Sequence, residues 1–198
     1  MVFMPKIILA SSSSYRRDLL LRIINDFDVI SPNIDESMLS GEDARATALR
    51  LADEKAKKIA FDHPQAFVIG ADQTAHLDNL QIKKPINFEE AFKQLKKLSN
   101  QEVKFFSAVV LFNLSQDIHY AWVEEISVKY KKLDDKAIEN YLNFDKPYGC
   151  LGCIKSEGLG ISLLDKVSSN DPTAIIGLPL IALSDMLIKN KINLSDAK

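Results

Sequence analysis

An unbroken apolar run, Ile7-Ile8-Leu9-Ala10, gives way abruptly to four hydroxyls and two arginines, Ser11-Ser12-Ser13-Ser14-Tyr15-Arg16-Arg17, before apolar residues return at Leu19-Leu20-Leu21 and Ile23-Ile24. That order predicts a buried strand over about 5–10, a hydroxyl-rich turn, and an amphipathic helix over about 15–25. Val29-Ile30 reads as a short strand, followed by a polar loop from Pro32 to Asp43. A long helix then carries Leu49, Leu51, Ala52, Lys55, Ala56 and Ile59 and stops before Pro64. Ala66 to Ala71 is continuously apolar and predicts a buried strand that ends in Asp72-Gln73-Thr74. A hairpin-like segment from His76 to Ile82 leads to a helix over 88–98. Val103 to Asn113 and Tyr120 to Tyr130 are long enough to form an antiparallel pair. Asp134 caps a helix bearing Ala137, Ile138, Tyr141 and Leu142, and the last third holds a Gly-rich bend, a strand near 159–167 and a helix beginning after Pro179. Alternating elements with one long antiparallel pair indicate an α/β protein with a mixed sheet, whose ligand is expected at the carboxyl ends of the strands.

Composition narrows the partners. The chain has 198 residues, 46% hydrophobic and 26% charged, with a net charge of −2. That balance is that of a globular protein with one sizeable core, and it argues against generic binding along nucleic acid, which needs a broad basic surface. No apolar run reaches membrane-spanning length and the start shows no signal-peptide cleavage pattern, so a cytoplasmic protein that engages no membrane is expected. Cys150 and Cys153 form a C-x-x-C, but His63, His76 and His119 are scattered without ligand spacing. Two reduced, small-hydrophobe thiols are the expectation.

Four polar clusters remain: the serine–arginine turn, Asp35-Glu36, Asp72-Gln73-Thr74 and Lys83-Lys84-Pro85, with Lys55 able to join them. Helix N-termini and guanidinium forks favour phosphate, although a serine cap beside two solvated arginines would read the same way. Asp72, directly after the most apolar strand, needs a cation, a metal or water if buried, or else it caps the following turn. No G-x-S-x-G elbow, Walker lysine or G-x-G-x-x-G fingerprint is present. Anion binders plus carboxylates without a nucleophile suit attack of water on a phosphoanhydride, with carboxylates holding a divalent cation or taking the proton.

These clusters, in this order, resemble the Maf proteins, nucleotide pyrophosphatases related in fold to inosine triphosphate pyrophosphatases. The resemblance runs through residues 9–17, Asp35-Glu36-Ser37, Ala52-Asp53-Glu54-Lys55-Ala56, Gly70-Ala71-Asp72-Gln73, Lys84-Pro85, Lys155-Ser156-Glu157-Gly158-Leu159-Gly160 and Gly177-Leu178-Pro179-Leu180. It implies a single Maf-like domain over 1–198, with a central twisted mixed sheet flanked by helices and two lobes around a cleft. It also implies cleavage between the α- and β-phosphates of a nucleoside triphosphate with a divalent cation (Mg2+, Mn2+ or Co2+), and allows a homodimer. By resemblance Ser11, Ser13, Arg16, Arg17, Lys55 and Lys84 bind the triphosphate, Lys55 and Lys84 serving catalysis as well. Glu36 and Asp72 serve metal and water, Asp72 as the proton acceptor.

Gly70-Ala71-Asp72-Gln73, residues 155–160 and Asp171-Pro172-Thr173-Ala174-Ile175-Ile176-Gly177-Leu178-Pro179 resemble the branch acting on 7-methyl-GTP. The methylated base is cationic, so Tyr15 is expected to stack on it, Glu157 to accept from its N1–H and amino group, and Gln73 to shape the base site. The chain departs from the branch in having Tyr15 for a common tryptophan, Ser14 for proline, Asn100 for glycine and Lys83 for glycine. Rival readings are a dTTP or UTP pyrophosphatase of the same family and a non-catalytic nucleotide sensor or septum-formation regulator.

Overall fold

A computed structural model describes residues 5–78 and 80–194, so the domain expected over 1–198 extends beyond the described residues at both ends and at Asn79. The elements are β1 (Ile7–Ala10), α1 (Ser14–Leu20), β2 (Asp28–Ile30), α2 (Ala44–Asp62), β3 (Phe67–Leu77), β4 (Leu80–Gln81), α3 (Phe88–Leu98), β5 (Glu102–Asn113), β6 (Ile118–Tyr130), α4 (Asp135–Asp145), β7 (Leu164–Ser168) and α5 (Leu180–Lys189). Strands pair in the order β2-β1-β3-β5-β6-β7, with β4 on β3. β1 is parallel to β2 and β3, whereas β6–β7 and β3–β4 are antiparallel. The expected mixed-sheet α/β architecture is therefore present.

The chain divides into two compact units, neither continuous in sequence. The first comprises the described residues up to Gln73, Ser107–Glu124 and those from Asp171 onward. Its core joins Leu9, Leu20, Ile69, Leu111, Leu183 and Leu187, all buried. Helix α2 buries Ala48, Leu51, Ala52, Lys55, Ala56 and Ile59, an apolar stripe at helical spacing interrupted by one lysine. At the close of this unit α5 has no capping side chain of its own at Pro179. Asp171 supplies the cap from a distance. Its carboxylate accepts N–H bonds from Ile181 at 2.7 Å and Thr173 at 2.8 Å, and Thr173 Oγ1 accepts from Leu180 N at 3.0 Å. Asp171 is buried. Asp171→Asn is therefore expected to lower unfolding free energy by about 1–3 kcal/mol, because buried donors lose a charged acceptor. Thermal or denaturant unfolding checks this, and an unchanged stability would mean that water replaces the cap.

The second unit comprises Thr74–Phe106 and Glu125–Asn170, Asn79 excepted. Helix α3 begins at an Asn87 cap, buries Ala91, Leu95 and Leu98, and places Glu89 and Glu90 in its first turn and Lys96 and Lys97 in its last, matching its dipole. Tyr130 and Tyr141 are buried, and their hydroxyls donate to the carbonyls of Gly152 at 2.8 Å and Cys153 at 2.9 Å, which fixes the Gly-rich bend. Asn100 lies at φ 60°, a left-handed backbone that asparagine tolerates better than most residues, which accounts for its standing where glycine is common. Neither Cys150 nor Cys153 is in a disulfide; burial pushes the Cys153 thiol up, away from reactive thiolate.

Several boundaries differ from expectation. α1 ends at Leu20, two turns long, because Leu21–Ile23 curl into a turn. The stretch near 159–167 is a 3-10 turn at Leu159–Leu163 followed by β7. The largest difference is in β3, which runs on through Asp72, Gln73 and Thr74 to Leu77. Asp72 is therefore not the cap of a turn.

Candidate active site

The register of the parallel strands brings the polar clusters of the first unit together. Ala10 pairs with both Ile30 and Gly70, so the serine turn after β1, the loop after β2 and Asp72 on β3 all begin at the same sheet edge. This is the carboxyl end of β1 and β2, the usual ligand side of such sheets, and β3 runs on past it.

The serine turn is built from its own hydroxyls. Ser11 is buried, and its Oγ accepts from Ser13 N at 3.2 Å and from Arg16 Nη1 at 3.4 Å. Ser13 caps α1, accepting from Arg16 N at 3.4 Å. Ser14 takes the first helical position, where proline would be equally suited. Arg16 is half-buried and turns its Nε to the Gly177 carbonyl at 3.0 Å. Burial pulls its guanidinium below the usual value, while the charges of Asp72 and Glu36 oppose the shift, so the three groups share one electrostatic neighbourhood. Arg17 is exposed and Tyr15 half-buried.

Lys55 is the centre of the arrangement. Its side chain is only 4% exposed, and its ammonium lies 2.6 Å from Asp72 Oδ1 and 2.5 Å from Glu36 Oε1. Asp72 is as deeply placed, at 8%, whereas Glu36 reaches in from an exposed loop at 56%. A buried ammonium is tolerated only with such compensation. One cation thus already holds both carboxylates named as metal ligands.

That geometry tests the metal. The two carboxylates gathered by Lys55 are, in type and number, the donors that suit a Mg2+-type ion, which takes one or two protein carboxylates and completes its shell with phosphate oxygens and water. Among the described residues no group of three His, Cys, Asp or Glu gathers as a metal-binding cluster, so a cage built only of protein side chains is not what this donor set offers.

Gln73 is occupied. Its amide donates to Ser107 Oγ at 2.8 Å, Ala174 O at 3.1 Å and Ile175 O at 3.0 Å, and Ser107 also donates to Ala174 O at 2.6 Å. It fixes the 171–177 segment, whose Gly177 carbonyl in turn holds Arg16. The sequence reading missed Ser107, Gly177 and Arg50 as supports of these groups. Gly177 stood in the quoted Gly177-Leu178-Pro179-Leu180 motif, and Arg50 left a signal as a charged residue five positions before Lys55.

Lys84 and Glu157 belong to the second unit, and both are exposed. The backbone beside Lys84 is secured by Gln94 donating to Lys83 O at 2.8 Å and by Gly149 N donating to Pro85 O at 2.9 Å. Glu157 lies in the bend after Lys155, whose ammonium donates to the Asp145 carbonyl at 2.6 Å.

The family model described as Maf-like protein matches residues 6–190. The chain is 49% identical over 182 residues to a protein named 7-methyl-GTP pyrophosphatase from Nitrosospira multiformis, spanning 92% of each chain. It is equally 49% identical over 184 residues to one of that name from Methylobacillus flagellatus, covering 93% of this chain and 96% of the relative. A third, from Thiobacillus denitrificans, is 44% identical over 96% of this chain and 94% of its own. The solved Staphylococcus aureus Ham1 protein aligns with 64% of this chain and 72% of its own, at a TM-score of 0.46 and 17% identity. Among the described residues no helix is long and apolar enough to cross a membrane.

Proposed function

Because the chain belongs to the Maf family, we propose that it hydrolyses the α–β phosphoanhydride of a nucleoside triphosphate, with 7-methyl-GTP preferred and 7-methyl-GMP and diphosphate as products. The observation that carries this reading is the meeting of Asp72, Glu36 and Lys55 within the charge field of Arg16. The names of the relatives support the base preference.

In this reading Ser11, Ser13, Arg16 and Arg17 bind triphosphate oxygens, and the guanidinium of Arg16 arrives already oriented by Gly177. Water attacks the α-phosphorus, the bond to the bridging oxygen breaks, diphosphate leaves with that electron pair, and Asp72 takes the proton from water. Lys55 neutralises charge at the reacting phosphate and keeps Asp72 aimed. Asp72 and Glu36 would hold a divalent cation, which when bound supplies neutralisation of the phosphate oxygens. Lys84 and Glu157 carry proposed roles in binding phosphate and base, each tested by its own alanine variant. Tyr15 stacks on the cationic base, a contact worth about 0.5–2 kcal/mol, roughly a two- to thirtyfold preference. Selectivity over GTP is therefore graded rather than absolute.

A panel of 7-methyl-GTP, GTP, dTTP and UTP, read as diphosphate released with Mg2+, Mn2+ and Co2+, checks the proposal. The methylated nucleotide is expected to lead GTP within the cation–π range of roughly two- to thirtyfold, and chelation of the cation to abolish release. A pyrimidine nucleotide in the lead would move the chain to the other branch. Silence with every ion would favour a nucleotide sensor.

A further inference from the structure

We propose that Arg50 is a positioning residue for this reaction, clamping the loop that carries Glu36 onto α2 so that Glu36 stays on Lys55. The inference rests on the hydrolytic reading above and names the device that completes its site.

Glu36 poses a physical problem. It is exposed, it lies in a segment without regular secondary structure, and it must meet an ammonium on a helix. Holding such a side chain costs conformational entropy unless the backbone beside it is already fixed. Arg50 stands on α2 five positions before Lys55, so both side chains are referred to one rigid element. Its guanidinium donates Nε and Nη2 to the two oxygens of Glu42 at 2.5 and 2.9 Å, and Nη1 to Glu54 at 3.2 Å. Nη2 also reaches the carbonyl of Ser37 at 2.9 Å, immediately after Glu36. Glu42 ties the far end of the loop as well, accepting from Leu39 N at 3.0 Å and Thr47 Oγ1 at 3.1 Å. On the near side Asp35 closes a turn over Glu36, accepting from Ser37 N at 2.9 Å and Ser37 Oγ at 2.6 Å.

Glu36 thus sits in a closed Asp35–Ser37 turn whose C-terminal flank is fastened to α2. The Arg50 and Glu42 side chains are 19% and 15% exposed, unlike the solvated pairs Lys6–Asp28 and Lys96–Asp135. A bidentate fork that also reaches a backbone carbonyl is beyond lysine, whose ammonium is a point charge. If Arg50 were only a stabilising surface charge, lysine would serve nearly as well.

The test is a cycle of Arg50→Gln, Glu36→Gln and the double variant, with Arg50→Lys alongside, read by diphosphate release from 7-methyl-GTP and by thermal unfolding. Arg50→Gln is expected to lower kcat on the order of ten- to a hundredfold through misplacement of Glu36, with KM changing far less. Added to Glu36→Gln, it lowers kcat no further, although the unfolding midpoint falls equally in both backgrounds. Arg50→Lys leaves most of the loss in kcat. Multiplicative losses in the double variant, or wild-type kcat in Arg50→Lys, overturn the proposal. Hydrogen exchange of the amides over 35–42 reads the clamp independently of turnover. Faster exchange in Arg50→Gln is the expected result, and unchanged exchange overturns the clamp, whereas failure of the wild-type protein to release diphosphate overturns only the hydrolytic reading.

Discussion

Asp72→Asn is expected to cut kcat for diphosphate release by about 10²–10⁴, the usual range for loss of a positioned general base, while the protein stays folded. Asparagine has nearly the shape of aspartate and retains a carbonyl oxygen for the Lys55 ammonium at 2.6 Å. What disappears is the negative charge and the capacity to take a proton. Lys55 keeps Glu36 at 2.5 Å, so the buried ammonium is not orphaned. The stability loss is then that of one charged hydrogen bond, about 1.5–3 kcal/mol, rather than of a fully broken buried ion pair. One carboxylate that repels phosphate is gone, but so is one of the two carboxylates proposed to hold the cation, so the two effects on KM oppose each other and the main loss is expected in kcat. A split between kcat and KM measured on the same preparation, with a melting curve beside it, decides the matter. Full activity in this variant would take Asp72 out of the chemistry.

Gly70→Ala is expected to damage stability and activity together. A Cβ built on Gly70 would lie 2.1 Å from the Ala52 carbonyl oxygen and 2.8 Å from both the Ala56 nitrogen and its Cβ. Two of those three atoms are backbone of α2, which cannot swing aside as a side chain would. The helix must lift from β3. Overpacking of this kind costs about 1–3 kcal/mol, and here the upper end is expected. At this chain length that lowers the thermal midpoint by roughly 6–12 °C, at 2–4 °C per kcal/mol. The catalytic consequence follows from position. Lys55 lies on α2 between Ala52 and Ala56, and Asp72 lies two residues beyond Gly70 on β3. Lifting one from the other lengthens their 2.6 Å contact, and a displacement near 1 Å can cost about a hundredfold in rate. Ala56→Gly would relieve the Cβ contact but leave the Ala52 carbonyl, so only partial rescue is expected. A Gly70→Ala protein with the parent melting point and kcat would show slack between helix and strand.

The sequence resemblance names both Lys55 and Asp72, but as separate members of a phosphate site and a metal site. Their direct contact was not legible, because Lys55 and Asp72 are joined only when β3 packs under α2. The same holds for Arg50. In sequence Glu54 stands four residues on and suggests an ordinary helical surface pair, yet the stronger partner is Glu42, eight residues back and just ahead of the Asp43 cap. Exposure, not spacing, separates the two.

Much was nevertheless written locally. Helices α2, α3 and α4 start where Asp43, Asn87 and Asp134 each offer a side-chain oxygen to the N–H three residues on. Helix α3 has the ends its sequence predicts, Phe88 and Leu98, because its apolar period, its cap and its charge gradient agree. Such signals act within one or two turns of the chain, and local physics suffices to read them. Continuation of β3 through Asp72-Gln73-Thr74 could not be read that way. Polar residues end a strand unless remote partners satisfy them, and here Lys55, Ser107 and the carbonyls of Ala174 and Ile175 do so. The sequence by itself thus determined the order of most elements, the caps of α2, α3 and α4 and the ordered set of charged groups. Only the tertiary structure decided which charges meet, because pairing a buried charge depends on what the rest of the chain places within hydrogen-bond reach.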